Sequence, residues 1–308
     1  MRCLVFAYSE IGVVGLESLI AGGHIVTGVV THEDNPWEFK WFRSVEELAK
    51  AHHIPVIKPA DPNAPEILAW AKERRPDVVF SFYYRQMLKS PLLTVAPLGA
   101  YNLHGSLLPK FRGRAPVNWA IIEGAKETGV TLHEMVDKPD AGAILGQRAV
   151  PIADDDTAQD VFAKLVPEAR RLLDEVVPLI ALGKAPRRPQ DGTQASYFGG
   201  RKPEDGRLDW SWPARKIHNM VRALARPYPG AYAWWEGQKL LIWKGLLAPG
   251  FPMGTAEPGT ILKATEAGVF VATGEGVFQI LDVGRENGPS VNAATILKQG
   301  SFFERSQT

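Results

Sequence analysis

Asn102, His104 and Ser106 occupy alternate positions directly after the apolar run LGAY, and the loop that follows carries Lys110, Arg112 and Arg114. In an extended segment successive side chains point to opposite faces, so an amide, an imidazole and a hydroxyl would share one face. An Asn amide can be a fixed donor to a developing oxyanion. Imidazole titrates nearest neutrality and can hand a proton to a leaving group. Asp140, in the turn-rich segment DKPDAG, supplies a carboxylate; within about 4–6 Å of His104 it would raise the imidazole pKa and keep that proton available. Together these groups suit acyl transfer to an attacking amine. The spacing alone also fits an ordinary polar cluster at a strand end.

Other chemistries find less support. Ser106 lies in no G-x-S-x-G elbow, so it orders the SLLP turn better than it serves as a nucleophile. Gly12 and Gly15 are only a fragment of a dinucleotide-binding fingerprint, and the better reading is a helix packed close to a sheet. The seven histidines are scattered; His133 precedes Glu134 but has no second His on a helical face, so no metal site is expected. His24, His52 and His53 read as solvated, and the lone cysteine, Cys3, as a small buried hydrophobe. Trp210, Trp212, Trp234, Trp235 and Trp243 suit core packing better than base stacking. Arg112 and Arg114 have a plain solvated reading.

These side chains need a scaffold to position them. The chain has 308 residues, 45% hydrophobic and 22% charged, enough for a large α/β domain and an appendage. Its formal charge of +1 lacks the basic excess of a nucleic-acid binder. No run is long enough for a membrane span, and no secretory signal opens the sequence, so a cytoplasmic protein is expected. Short apolar runs alternate with amphipathic segments from CLVFAY to AYNLH, the rhythm of parallel βαβ units, which gather functional groups at strand carboxyl ends. VTLHEMV and AILGQRAVPI read as two further strands. The long helix after Thr157 should kink or divide at Pro167. The expected fold is α/β: a Rossmann-like, mostly parallel sheet with helices on both faces over residues 1–183. A Gly/Pro-rich linker at 184–207 follows, then a smaller OB-like β-barrel over 208–308.

NLHGSLLPKFRGRAPVNW and ETGVTLHEMVDKPDAGAIL, with FSFYYRQML at 80–88 and IHNMVRALARPYPGAY at 217–232, resemble the folate-dependent formyltransferases. That family includes methionyl-tRNA formyltransferase, glycinamide ribonucleotide transformylase and the sugar-nucleotide N-formyltransferases. THEDNP at 31–36, FSFYYR at 80–85 and RGRAPVNW at 112–119 look most like the formyltransferase part of the bifunctional polymyxin-resistance enzyme of lipid A modification. The resemblance implies 10-formyltetrahydrofolate as co-substrate and no metal. It implies UDP-4-amino-4-deoxy-L-arabinose as the UDP-amino-sugar acceptor. Asn102 would stabilise the oxyanion, His104 would give the proton, and Asp140 would tune His104. Gln86, Met87 and Leu88 would line a pteridine pocket largely through backbone groups. The loop Val136, Asp137, Lys138, Pro139 and Asp140 would close over the folate, and Arg114 would bind folate or substrate.

Gln86 departs from the pattern expected of that relative. A separate decarboxylase is expected in the pathway, because the sequence ends at SFFERSQT without a second catalytic domain. The main alternative is methionyl-tRNA formyltransferase. Against it, the segment after the second strand mixes Glu33, Asp34 and Glu38 with Lys40 and Arg43, whereas a tRNA grip wants cations without that acidity. A formyltetrahydrofolate hydrolase, with water as acceptor, is a further alternative, as is a catalytically idle folate-binding module.

Overall fold

A computed structural model describes residues 1–34, 40–286 and 288–304. Asn35, Pro36 and Glu38, part of the segment weighed above for substrate preference, lie outside the described residues. The chain forms two compact units.

The first unit is built on β1 (Arg2–Ala7), α1 (Ser9–Ala21), β2 (Ile25–Val30), α2 (Val45–Ala51), β3 (Val56–Ile57), α3 (Pro65–Glu73), β4 (Val78–Phe82), α4 (Ser90–Leu93) and β5 (Ala100–His104). After β6 (Arg112–Gly113) and α5 (Pro116–Ile122) come β7 (Glu127–Glu134), β8 (Ile144–Pro151), α6 (Ala158–Ala181) and β9 (Tyr197–Phe198). The main sheet runs β3-β2-β1-β4-β5-β7-β8. β3, β2, β1, β4 and β5 pair in parallel, while β5–β7 and β7–β8 are antiparallel. This is the expected Rossmann-like, mostly parallel architecture.

Helices cover both faces because β1 and β4 are buried on both. On one face Leu4, Phe6, Val30 and Val79 form a core with Ala71 of α3. On the other α1 approaches so closely that a Cβ on Gly15 would lie 2.3 Å from the Phe82 ring, so this glycine is a packing requirement. Cys3 is fully buried, and burial pushes its thiol up to about 12.

Pro167 does not divide α6, which continues through both Pro167 and Pro178. Its buried stripe, Val161, Leu165, Ala169, Leu172, Val176 and Ile180, recurs at helical spacing and offsets the lost backbone donors.

The unit boundaries differ from the expected linker. Residues 184–199 belong with the first unit: β9 pairs with β6, and Arg188 exchanges two backbone hydrogen bonds with Ile144 at 2.8 and 2.9 Å. A segment poor in apolar residues is thus held by backbone hydrogen bonds instead of by a hydrophobic period.

The second unit takes residues 117–126, 152–161 and 200–308. Helix α7 (Ala214–Leu224) packs on an antiparallel sheet of β10 (Ala231–Trp235), β11 (Gln238–Leu247), β12 (Ile261–Thr265), β13 (Gly268–Ala272), β14 (Val277–Gly284) and β15 (Val291–Asn292). Segment 152–161 joins this unit because the buried Arg222 guanidinium donates to the carbonyls of Ala153 (3.1 Å) and Asp156 (2.9 Å). Trp210 stacks on Phe303 at 4.6 Å and Trp235 meets the same ring at 5.2 Å, so both serve as core.

Candidate active site

Asn102 and His104 share one face of β5, and antiparallel pairing sets His133 of β7 directly opposite Asn102. The DKPDAG loop returns from the end of β7 so that the Asp140 carboxylate lies 3.6 Å from His104 Nδ1 and 3.5 Å from His133 Nε2. The three residues singled out for chemistry therefore converge, and a fourth, His133, stands between two of them.

The hydrogen bonds fix the chemistry of each ring. His104 Nε2 lies 2.9 Å from the Phe111 carbonyl, which can only accept, so Nε2 carries the proton and Nδ1 faces Asp140 as an acceptor when the ring is neutral. His133 Nδ1 donates to the Glu134 carbonyl at 2.7 Å, which leaves Nε2 to accept from Asn102 Nδ2 at 3.1 Å. That bond orients the Asn102 amide and leaves its second N–H free to meet a substrate oxygen. Asp140 Oδ2 accepts from the Gly113 backbone N–H at 2.8 Å, and its φ of +52° holds it in the left-handed region.

Electrostatics correct one expectation. Burial pushes the His104 pKa below its ordinary 6.5; Asp140 and the Phe111 carbonyl pull upward without overcoming it. The imidazole is only 6% exposed, so at neutral pH it rests neutral and must first take a proton before it can give one. Burial also acts to raise the Asp140 pKa, but His104, His133 and the Gly113 amide outweigh it and hold this carboxyl well below its ordinary 3.8.

Ser106 is fully buried and donates to the Lys110 carbonyl at 2.6 Å, closing the loop after β5. Arg112 is not solvated: it is 4% exposed and donates to the Gln190 side chain at 2.7 and 3.2 Å. Arg114 is exposed, with its backbone N–H tied to the Phe198 carbonyl at 3.0 Å.

Asn63 pins the turn holding Gln86, Met87 and Leu88, donating to the Met87 carbonyl at 2.9 Å and accepting from Lys89 N at 2.8 Å. Gln86 turns its side chain back to the Ala60 carbonyl at 3.0 Å, so it offers little beyond its backbone to a ligand. Leu88 is buried in a cluster with Leu92, Leu93 and Ala96, and Met135, just before Val136, packs on it. The two segments expected to hold folate are thus joined by one apolar cluster. Met87 (52% exposed) and Val136 (42%) stay outside it as exposed apolar side chains, with Asp137 and Lys138 also exposed. Among the described residues no His, Cys, Asp and Glu side chains group as metal ligands, and no helix is long and apolar enough to cross a membrane.

Residues 7–177 match the formyl transferase family, and residues 201–300 match the formyl transferase C-terminal domain. The chain belongs to the formyl transferase family. Several solved structures share its fold. The N-formyltransferase from Helicobacter canadensis, solved with folinic acid and dTDP-3-aminofucose, is 21% identical with a TM-score of 0.70, over 91% of this chain and 98% of that one. A sugar N-formyltransferase from a Shewanella species is 21% identical with a TM-score of 0.64, over 79% and 96%. A variant of HypX from Aquifex aeolicus is 18% identical with a TM-score of 0.64, and the match covers 96% of this chain. The chain spans 47% of the length of that HypX variant.

Proposed function

We propose that this protein transfers the formyl group of 10-formyltetrahydrofolate to the amino group of a nucleotide-linked sugar, with UDP-4-amino-4-deoxy-L-arabinose as the acceptor. The observation that carries this reading is the convergence of Asn102, His104, His133 and Asp140 on one face of β5 and β7. In the first step the sugar amine attacks the formyl carbon, and the free Asn102 N–H donates to the oxyanion. His104 Nδ1 takes the proton that the attacking nitrogen loses, and the imidazolium is stabilised by Asp140. It then returns the proton to the folate nitrogen as the carbon–nitrogen bond to folate breaks. A neutral resting imidazole suits this cycle, because one ring serves as base and then as acid. Arg114, the turn at Gln86, Met87 and Leu88, and the loop from Val136 to Asp140 are the proposed folate contacts.

The acceptor choice has support from the cations near the second strand. Lys40 pairs with Asp34 at 2.7 Å, Lys58 with Glu33 at 2.8 Å, and Arg43 with Glu10 and Glu17 at 2.6 Å each. Cations committed to carboxylates are poorly placed to neutralise a tRNA backbone. In this reading the protein acts in the cytoplasm in lipid A modification and polymyxin resistance, with a separate decarboxylase preparing the sugar. Incubation of the purified protein with 10-formyltetrahydrofolate and, in turn, UDP-4-amino-4-deoxy-L-arabinose, a dTDP-amino sugar, initiator methionyl-tRNA or no acceptor tests it. N-formylated UDP-sugar is the expected product. Formylation of the tRNA but of no amino sugar would sink the assignment.

A further inference from the structure

The side chain of Gln190 makes four hydrogen bonds, two to the loop that carries Asp140 and two to Arg112 of β6. Its Nε2 donates to the Asp140 carbonyl at 2.8 Å and to the Gly142 carbonyl at 2.7 Å. Its Oε1 accepts from Arg112 Nη2 at 2.7 Å and Nε at 3.2 Å. The amide orientation is unambiguous, since carbonyls only accept and a guanidinium only donates.

We propose that Gln190 is a positioning residue for formyl transfer, fixing the Asp140 loop against the loop from Phe111 to Gly113. Each loop contributes to the site through main-chain geometry. The Phe111 carbonyl sets the His104 tautomer, the Gly113 amide holds the Asp140 carboxylate, and Asp140 itself adopts a left-handed φ that needs restraint from its surroundings. The Gln190 side chain bonds to both segments at once. Its neighbours reinforce the same clamp: Ser196 accepts from Phe111 N through its hydroxyl (2.8 Å) and from Arg112 N through its carbonyl (2.9 Å), and the Tyr197 hydroxyl donates to the Pro139 carbonyl. Only an amide can meet both demands, because a carboxylate lacks the donors for two carbonyls and an ammonium lacks the acceptor for Arg112. A segment that composition marks as a linker is therefore a strap across the catalytic loops.

The inference rests on the proposed formyl transfer for its kinetic readout, and a second readout needs no substrate. Gln190→Glu keeps an acceptor for Arg112 and removes the two donors; Gln190→Ala removes all four bonds. In both variants kcat is expected to fall about 10- to 100-fold with the acceptor KM nearly unchanged, in line with losses from misplaced catalytic groups. By amide hydrogen exchange, Gly113, whose N–H is held by Asp140, should lose protection, while Arg112 and Arg114, bonded to Ser196 and Phe198, should keep theirs. Wild-type kcat together with an unchanged Gly113 amide would overturn the proposal. So would equal loss of protection at all three amides, which marks a merely structural role. If Gln190→Ala does not fold, Gln190→Glu decides. If the wild type formylates none of the acceptors, the functional reading has failed, and the exchange pattern still decides the role of Gln190.

Discussion

At the residue level, Asn102, His104 and Asp140 have separate proposed tasks. Asn102→Ala, which removes the proposed oxyanion donor, should lower kcat by about 100-fold or more. His104→Ala should lose about 100- to 10,000-fold, the usual reach of general acid–base catalysis. Because His104 must rest neutral, activity should hold through pH 6.5 and decline only as the pH falls through the depressed imidazole pKa. Asp140 pulls that pKa upward, so Asp140→Asn should shift the acid limb of kcat/KM to lower pH while reducing the plateau. A pH–rate profile of both proteins checks the direction, and an unchanged or raised acid limb would contradict it. Asn102 and His104 were legible because their alternation is local, and Asp140 because a carboxylate stands out in a turn-rich loop. His133 was not: its contact with Asn102 comes from antiparallel register between strands separated by a long loop. A histidine at the middle of an apolar strand pattern, VTLHEMV, was the available signal. Arg112 and Gln190 define each other across 78 residues, and neither is informative alone.

Among the elements, the parallel strands and the antiparallel strands of the second unit could be read from apolar period and turn residues. The short pairs β6, β9 and β15 could not, because two residues carry no periodicity. Gly15, read from the sequence as a close helix–sheet contact rather than part of a nucleotide motif, is a packing constraint. Gly15→Ala should destabilise the first unit by about 1–3 kcal/mol, the usual cost of overpacking, since its Cβ would meet the Phe82 ring. Urea unfolding measures this, and an unchanged midpoint would show that α1 can retreat from the sheet. The long helix α6 shows the converse case. Its prolines signal a break locally, but a continuous buried stripe decides the outcome.

For the whole molecule, the buried His104 and His218 and the half-buried His32 link stability to pH. Burial lowers His32 and His218 from 6.5 to about 4, with Arg85 adding to the effect at His32 and Arg222 at His218; His104 is lowered as well. Between the folded and unfolded pKa values the unfolded chain binds more protons, so stability rises with pH. It should therefore fall steadily from about pH 6.5 towards 4, and Asp140, ionised in the fold below its ordinary 3.8, adds a further loss at lower pH. Urea titrations across this range check the slope, which His218→Gln should reduce. The proposed reaction is formyl transfer to a UDP-linked amino sugar at the Asn102, His104 and Asp140 site. It is tested most directly by single-turnover transfer of an isotopically labelled formyl group from 10-formyltetrahydrofolate to UDP-4-amino-4-deoxy-L-arabinose, with wild type and His104→Ala side by side. Labelled N-formyl sugar is expected from the wild type, with a rate at least about 100-fold lower from the variant; equal rates, or no label on the sugar, would rule the reaction out at this site.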